Sequence, residues 1–420
     1  MRILLAFPRP LIPADTGGKI RSLQIFSRLS ERAEIHAISQ ADPERDDLGI
    51  MEMKRIFASY TPVFWKERIK YSPGFYIDIV KNRFSAMPYF IDKFCRSEFT
   101  GALGKLAASQ RFDLLFCDFL QTATPALELP MRPRVVFEHN VEYLLRKRQW
   151  ETETESSKKW IFEAEWKKTQ KVEALVCRSF DRVIAVSEED RSTFEKDFGV
   201  RNVSTIPTGV DCEYFRPQGT PPLPGRLVFV GSMDWYPNED GVLWFLKNVF
   251  PSIKRVAPYV TLTIVGRNPP ASLTDAASGF SGVTLTGRVS DVRPFLAEAE
   301  AVVVPLRVGG GTRIKIPEAM AMGKAVVSTR IGAEGLPFQD RREILLEDEP
   351  EKFAASVIDL LKNTKLRLTV GNAARERVAC DHGWGTVTDH VERILLTVMA
   401  GQNTLANSIP PGRIACFPNS

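Results

Sequence analysis

Short apolar runs alternate with helical periodicity along the chain. In the first half the runs fall at 2–7, 34–39, 113–117, 134–138, 182–186 and 203–206, each rich in Val, Ile, Leu or Phe and bounded by polar or turn residues. Such uninterrupted runs predict strands buried on both faces, as in a parallel sheet. Apolar residues recur at helical spacing between them, as at 19–30 and 188–198. The alternation restarts with runs at 226–231, 260–265, 283–285, 301–305, 325–329 and 343–346, separated by helical patterns at 238–256, 291–299 and 314–322. Helices dominate from 350 to about 399. Strands alternating with helices predict an α/β fold of two doubly wound, Rossmann-like domains facing each other across a cleft.

Between the halves, residues 216–225 carry four prolines and two glycines, a composition that continues neither a helix nor a central strand. The expected organisation is a first domain over 1–215, a linker over 216–225 and a second domain over 226–385. A helix over 386–400 is expected to pack back on the first domain, ahead of a tail over 401–420.

The 420 residues are 44% hydrophobic and 25% charged, which is globular composition and excludes long disorder over most of the length. Six scattered cysteines form no C-x-x-C pair and no Cys/His cluster, so neither a disulfide scaffold nor a structural zinc site is expected. The apolar stretches fall short of the roughly 20 residues of a membrane-spanning helix. The apolar start ends at Phe7 and reads as a first strand rather than a signal peptide. A cytoplasmic protein is expected, soluble or peripheral on the inner face of the membrane. Net charge is +5, yet residues 51–111 alone hold eleven Lys/Arg against five Asp/Glu, interleaved with aromatics such as Trp65, Phe84, Tyr89 and Phe90. This window reads either as a solvated helical face over a core or as a surface for an anionic membrane. Nucleic acid is not expected as a partner, because no zinc-finger, RRM or KH signature accompanies the charge.

The segment richest in chemistry is Gly309-Gly310-Gly311-Thr312-Arg313-Ile314-Lys315-Ile316-Pro317-Glu318, which follows a predicted strand and opens a predicted helix. Consecutive glycines let backbone approach a ligand closely. Free N–H groups at a helix start favour a phosphate, and Arg313 and Lys315 add cations beside it. Pro317 is tolerated in the first turn. Glu318 is then an early helical carboxylate suited to the two hydroxyls of a ribose.

This segment resembles the signature of glycosyltransferase family 4, the retaining sugar transferases of GT-B fold, in a subgroup with a Gly-Gly-Gly-Thr-Arg-Ile-Lys loop. The likeness extends to Arg226–Asn238 (Val230-Gly231-Ser232 within it), Ile264-Val265-Gly266-Arg267, Thr286-Gly287-Arg288-Val289 and Gly332-Ala333-Glu334-Gly335. In the first half it includes Thr16-Gly17-Gly18-Lys19, Glu138-His139-Asn140 and Pro207-Thr208-Gly209-Val210-Asp211. The resemblance implies a nucleotide-diphosphate sugar held mainly by the second domain. Glu318 matches the second glutamate of the family's two-glutamate motif, the one that holds the ribose. Gly310, Gly311 and Thr312 match the loop at the diphosphate and sugar, and Arg288 and Val289 the segment beside the base. Gly231 belongs to the same donor-binding set. Gly17 and Gly18 match the first-domain loop facing the diphosphate or the acceptor, and His139 a histidine bordering the donor sugar. Three positions depart from the family pattern: Gly310 stands in place of the first glutamate, Ser232 where an arginine is common, and Thr208 where asparagine is usual.

Sugar transfer needs the diphosphate to leave while positive charge grows on the anomeric carbon, and fixed cations aimed at the leaving group lower that barrier. Arg313 and Lys315 are the candidates for this role. The sequence contains no Asp-x-Asp, the carboxylate pair that would hold a bridging Mg²⁺ or Mn²⁺. No metal or other cofactor is therefore expected, and the resemblance implies retention of anomeric configuration. His139 is a candidate base or sugar contact. The expected activity is hexose transfer from a nucleotide sugar to a cell-surface polysaccharide or lipid-linked glycan. A nucleotide-sugar epimerase and a non-catalytic sugar-nucleotide-binding partner protein are the alternatives.

Overall fold

The structure, a computed structural model, describes residues 1–66, 72–153, 155–308 and 314–405. The first domain is built on a seven-stranded parallel sheet of β1 (Arg2–Phe7), β2 (Glu34–Ala41), β3 (Ser59–Phe64), β4 (Leu114–Asp118), β5 (Arg134–Phe137), β6 (Arg182–Ala185) and β7 (Val203–Thr205). Its strand order is β3-β2-β1-β4-β5-β6-β7. Alternate residues of β1 feed two separate cores: Ile3, Leu5 and Phe7 join one, Leu4 and Ala6 the other. A strand covered on both faces needs apolar residues at every position, which is why the runs are uninterrupted.

The second domain repeats the plan with β8 (Arg226–Val230), β9 (Thr261–Val265), β10 (Val283–Leu285), β11 (Ala301–Val304), β12 (Ala325–Ser328) and β13 (Leu345–Leu346), in the order β10-β9-β8-β11-β12-β13. In both sheets the order reverses beside the first strand. Ligands of such sheets bind at that reversal, outside the carboxyl ends of the strands.

Two elements differ from the pattern-based expectation. The strand β3 has no counterpart there because Pro62 interrupts its apolar run. Proline is tolerated since β3 is an edge strand, paired through Pro62↔Ser39 with β2 alone. The helix expected over 238–256 is three pieces, Tyr236–Trp244, a π-turn at Phe245–Val249, and Phe250–Val256. Pro251 explains the break, since its ring nitrogen cannot donate to the turn before it.

The chain passes between the domains twice, side by side. On the outward pass Val210 N–H donates to the His382 carbonyl of the return pass at 2.7 Å, and His382 Nδ1–H donates to the Thr208 carbonyl at 2.8 Å. The last described helix, Trp384–Leu405, then lies on the first domain. Its Trp384, Val387, Val391, Ile394, Leu395 and Val398 share a core with β1 and the helix Gly17–Leu29. Their spacing is the stripe of a helix with one buried face.

At the crossing, Gly209 lies directly against Trp384. A Cβ built at 209 stands 2.1 Å from Trp384 Cε3. Gly209→Ala is expected to destabilise the protein by about 1–3 kcal/mol through overpacking, read as a lowered Tm. In a Trp384→Ala background the same change is expected to have much less effect, because the two residues share one contact.

Candidate active site

The two domains enclose a cleft of ≈ 690 Å³ at the carboxyl ends of both sheets. One wall comes from the loop after β1 and the helix behind it, with Asp15, Ile20 and Gln24. The opposite wall comes from the ends of β8 and β9, the loop after β10, and Ile314 and Glu318. Val210, Tyr214 and Phe215, on the outward pass of the chain, complete it. Of the residues singled out from the sequence, Gly231, Arg288, Val289 and Glu318 all line this cleft. Gly310, Gly311, Thr312 and Arg313 lie outside the described residues.

Glu318 sits in the first turn of the helix Lys315–Ala321. Burial pushes its carboxyl up to about 7, against the lowering pull of the Lys315 ammonium. Lys315 itself is turned toward the end of β8: its Nζ donates to Asn238 Oδ1 at 2.7 Å and lies 4.3 Å from the centre of the Phe229 ring. A Cβ at position 231 would stand 2.7 Å from that Nζ, so Gly231 is what lets the ammonium reach the strand end.

A cation that the sequence placed within the family likeness but gave no role also lines the cleft. Arg267 Nε donates to Ser232 Oγ at 2.8 Å, and Asp234 lies 3.7 Å away. The parallel pairing Val230↔Val265 brings these two strand ends together. Gly266 permits the approach, since a Cβ there would stand 1.7 Å from the Gly231 carbonyl oxygen. The legible signal is a glycine immediately after each of two adjacent strands.

In the first domain Gly17 opens the helix Gly17–Leu29, capped by Thr16, whose Oγ1 accepts from Lys19 N–H at 3.4 Å. Gly18 packs on Phe119, whose Cζ would lie 2.5 Å from a Cβ there. Phe119 takes φ 71°, uncommon for a side-chain-bearing residue, and stacks on His139 with ring centres 3.9 Å apart. His139 is buried behind this pair. Arginine has no acceptor, so Arg21 Nη1 must donate to His139 Nδ1 at 3.1 Å, which puts the imidazole proton on Nε2. That proton is donated to Asp118 Oδ1 at 2.7 Å, and Asp118 Oδ2 accepts from Ser22 Oγ at 2.7 Å. Burial lowers the His139 pKa, with Asp118 opposing, so the ring is neutral at pH 7. Both ring nitrogens are engaged. In this arrangement His139 offers the cleft neither a free lone pair nor a free N–H. Arg21 also donates to Thr208 Oγ1 at 3.0 Å, tying the network to the crossing between domains.

The family models agree with this architecture. Residues 55–214 match the model described as Glycosyltransferase Family 4, and residues 224–363 match that described as Glycosyl transferases group 1. The chain belongs to the group 1 glycosyltransferases. This glycosyltransferase is 22% identical over 366 residues to an uncharacterized 44.6 kDa protein in the cps region of Klebsiella pneumoniae, covering 84% of this chain and 88% of the relative. Its fold is shared with Anabaena Alr3699/HepE, solved in complex with UDP, at TM-score 0.68 and 14% identity over 94% of this chain and 100% of that one. Sucrose-phosphate synthase from Thermosynechococcus elongatus aligns at TM-score 0.67 and 16% identity over 96% and 100%.

The raised carboxyl of Glu318 has a stability consequence. Its folded pKa of about 7 exceeds the ordinary value of 4.5, so the folded state holds more protons between these limits and loses stability as pH rises through them. Glu318→Gln is expected to lessen the fall in stability between pH 4.5 and 7.5, measured by denaturant unfolding at a series of pH values.

Proposed function

We propose that the protein transfers a hexose from a nucleotide-diphosphate sugar to a cell-surface polysaccharide or lipid-linked glycan, with retention of configuration and without a metal ion. The observation that carries this reading is the convergence of Glu318, Val289 and two arginines on one interdomain cleft, in a chain of the transferase family. The Anabaena protein of the same fold is solved with UDP and with UDP-glucose, and the Klebsiella relative is described as lying in a cps region.

In this reading Glu318 accepts hydrogen bonds from the ribose hydroxyls, while Val289 and Arg288 flank the base. The loop of Gly310, Gly311 and Thr312 takes the diphosphate and sugar, Arg313 and Lys315 neutralise the leaving group, and Gly231 leaves room for Lys315. Arg267 supplies further positive charge at the strand end where Ser232 offers none. Gly17 and Gly18 face the diphosphate or the acceptor, and His139 holds the first-domain wall. The cations take the part a bridging metal would play, stabilising charge that grows on the departing phosphate. The excess of six positive charges over residues 51–111 fits a protein working on an anionic membrane at its cytoplasmic face. Among the described residues no helix is long and apolar enough to cross a membrane.

Thermal stabilisation by UDP-, GDP-, ADP- and dTDP-sugars tests the donor site. One base is expected to stabilise; at 100 times its Kd the effect is about 2.7 kcal/mol. Glu318→Ala is expected to abolish the shift and EDTA to leave it unchanged. Transfer lost in EDTA and restored by Mn²⁺ would overturn metal independence. Arg267→Ala is expected to weaken the stabilising nucleotide sugar about tenfold, near 1.4 kcal/mol, and to leave the parent nucleoside unaffected. Equal loss for both would show that Arg267 acts on the fold of the loop and not on phosphate.

A further inference from the structure

We propose that the groove beside the helix Pro73–Asn82 is the face that docks onto an anionic lipid bilayer, with its apolar side chains entering the headgroup boundary. The groove has a volume of ≈ 480 Å³ and lies between that helix, the helix Glu142–Thr152 and the start of the helix Ser156–Ser179. Its apolar lining includes Val80, Phe84, Phe90 and Trp160. Phe84 is 88% exposed, Val80 62%, Trp160 55% and the neighbouring Ile77 53%. Folded soluble proteins seldom expose large apolar side chains together unless something covers them.

Charge identifies what covers them. The Arg83 guanidinium lies 4.4 Å from the centre of the Trp160 ring, and the Arg146 guanidinium 4.4 Å from that of Phe90. The cations thus sit on the aromatic faces within the groove. Through Tyr89 the groove adjoins a second, polar pocket of ≈ 460 Å³, into which Lys81, Lys93 and Arg96 converge along with Asp78 and Asp92. Among the described residues, the one acidic residue lining the groove, Glu165, is spent internally: it accepts from Tyr89 N–H at 2.9 Å and lies 3.9 Å from Lys168. An apolar floor with a cationic border matches a layer of acyl chains beneath phosphate headgroups, which attract Lys and Arg near the surface. A second copy of this chain would bring the same positive border against itself.

The placement suits the chemistry. Arg146 and Gln149 of the helix Glu142–Thr152 line the groove, while Leu144, Leu145 and Arg148 of the same helix line a crevice shared with Glu334 and Gly335 of the second domain. A bilayer on the groove would therefore lie one helix width, roughly 10 Å, from the interdomain space. This inference deepens the membrane-face reading above and rests on it, but is independent of the donor.

Co-sedimentation with vesicles of phosphatidylcholine alone, and of phosphatidylcholine with phosphatidylglycerol, tests it. The wild-type protein is expected to bind the anionic vesicles at least tenfold more than the neutral ones at low salt, and less as salt screens the charges. V80E/F84E is expected to reduce that binding at least tenfold, with Tm and the nucleotide-sugar shift unchanged as the folding control. Tryptophan emission is expected to shift to the blue on anionic vesicles in the wild type and less in Trp160→Phe. Absence of vesicle binding, or binding undiminished in a folded V80E/F84E, would overturn the inference. So would light scattering that shows a dimer converted by V80E/F84E to monomers. Vesicle binding without any nucleotide-sugar shift would leave this surface standing and remove the donor reading instead.

Discussion

Everything in the cleft depends on how closely two passages of the chain approach at Gly209. Thr208, Gly209 and Val210 run outward from the first domain, His382, Gly383 and Trp384 run back, and the two are held by a backbone hydrogen bond, an imidazole and an indole face. No side chain fits at 209 without displacing the indole. Trp384 and Val210 are at the same time cleft residues. The floor of the site and the connection between domains are one piece of structure, so their geometries are set together. Arg21 extends this coupling inward, since one guanidinium reaches both His139 and Thr208. Burial lowers its pKa to about 10, partly offset by Asp118 and Asp190, which still leaves it protonated at neutral pH.

The two walls of the cleft use charge differently. Behind the first-domain wall Arg21, Asp118 and His139 are buried and bonded to one another, so that His139 is locked as one tautomer and cannot exchange a proton without disturbing Asp118 and Arg21. The second domain keeps its groups at the cleft surface, with Arg267 and Arg288 on the lining and Glu318 near neutrality. One wall is preorganised scaffold. In the proposed reaction the other wall faces the leaving phosphate, where cations already fixed in place lower the barrier.

Much of the fold was legible in the pattern of apolar runs because parallel strands buried on both faces are apolar at consecutive positions, as β1 and β11 are. The strand β3 was not, because an edge position relaxes the ban on proline and Pro62 breaks the run. For the site, spacing within one segment was informative: Glu318 and Lys315 share a helical turn, and Arg288 and Val289 follow a strand end. Contacts assembled from distant segments were not. Asp118 reaches His139 from the end of β4, Arg21 and Ser22 reach it from the helix Gly17–Leu29, and Arg267 gains its position only through the pairing of β8 with β9. No local count of residues reveals such meetings, although the glycines at 231 and 266 mark where two strand ends come close.

The return of the helix Trp384–Leu405 to the first domain makes the second domain an insertion within the first. Six core side chains of the first domain, from Trp384 to Val398, are made only after the whole second domain has been translated. Synthesis proceeds from the N-terminus, and domains tend to fold as units in that order. Here the order is inverted: the second domain holds all of its own core while the first still waits for its closing helix. Until then one flank of β1 and the helix Gly17–Leu29 stays uncovered on the ribosome. The nascent chain passes through a stage in which the second domain is complete and the first is not.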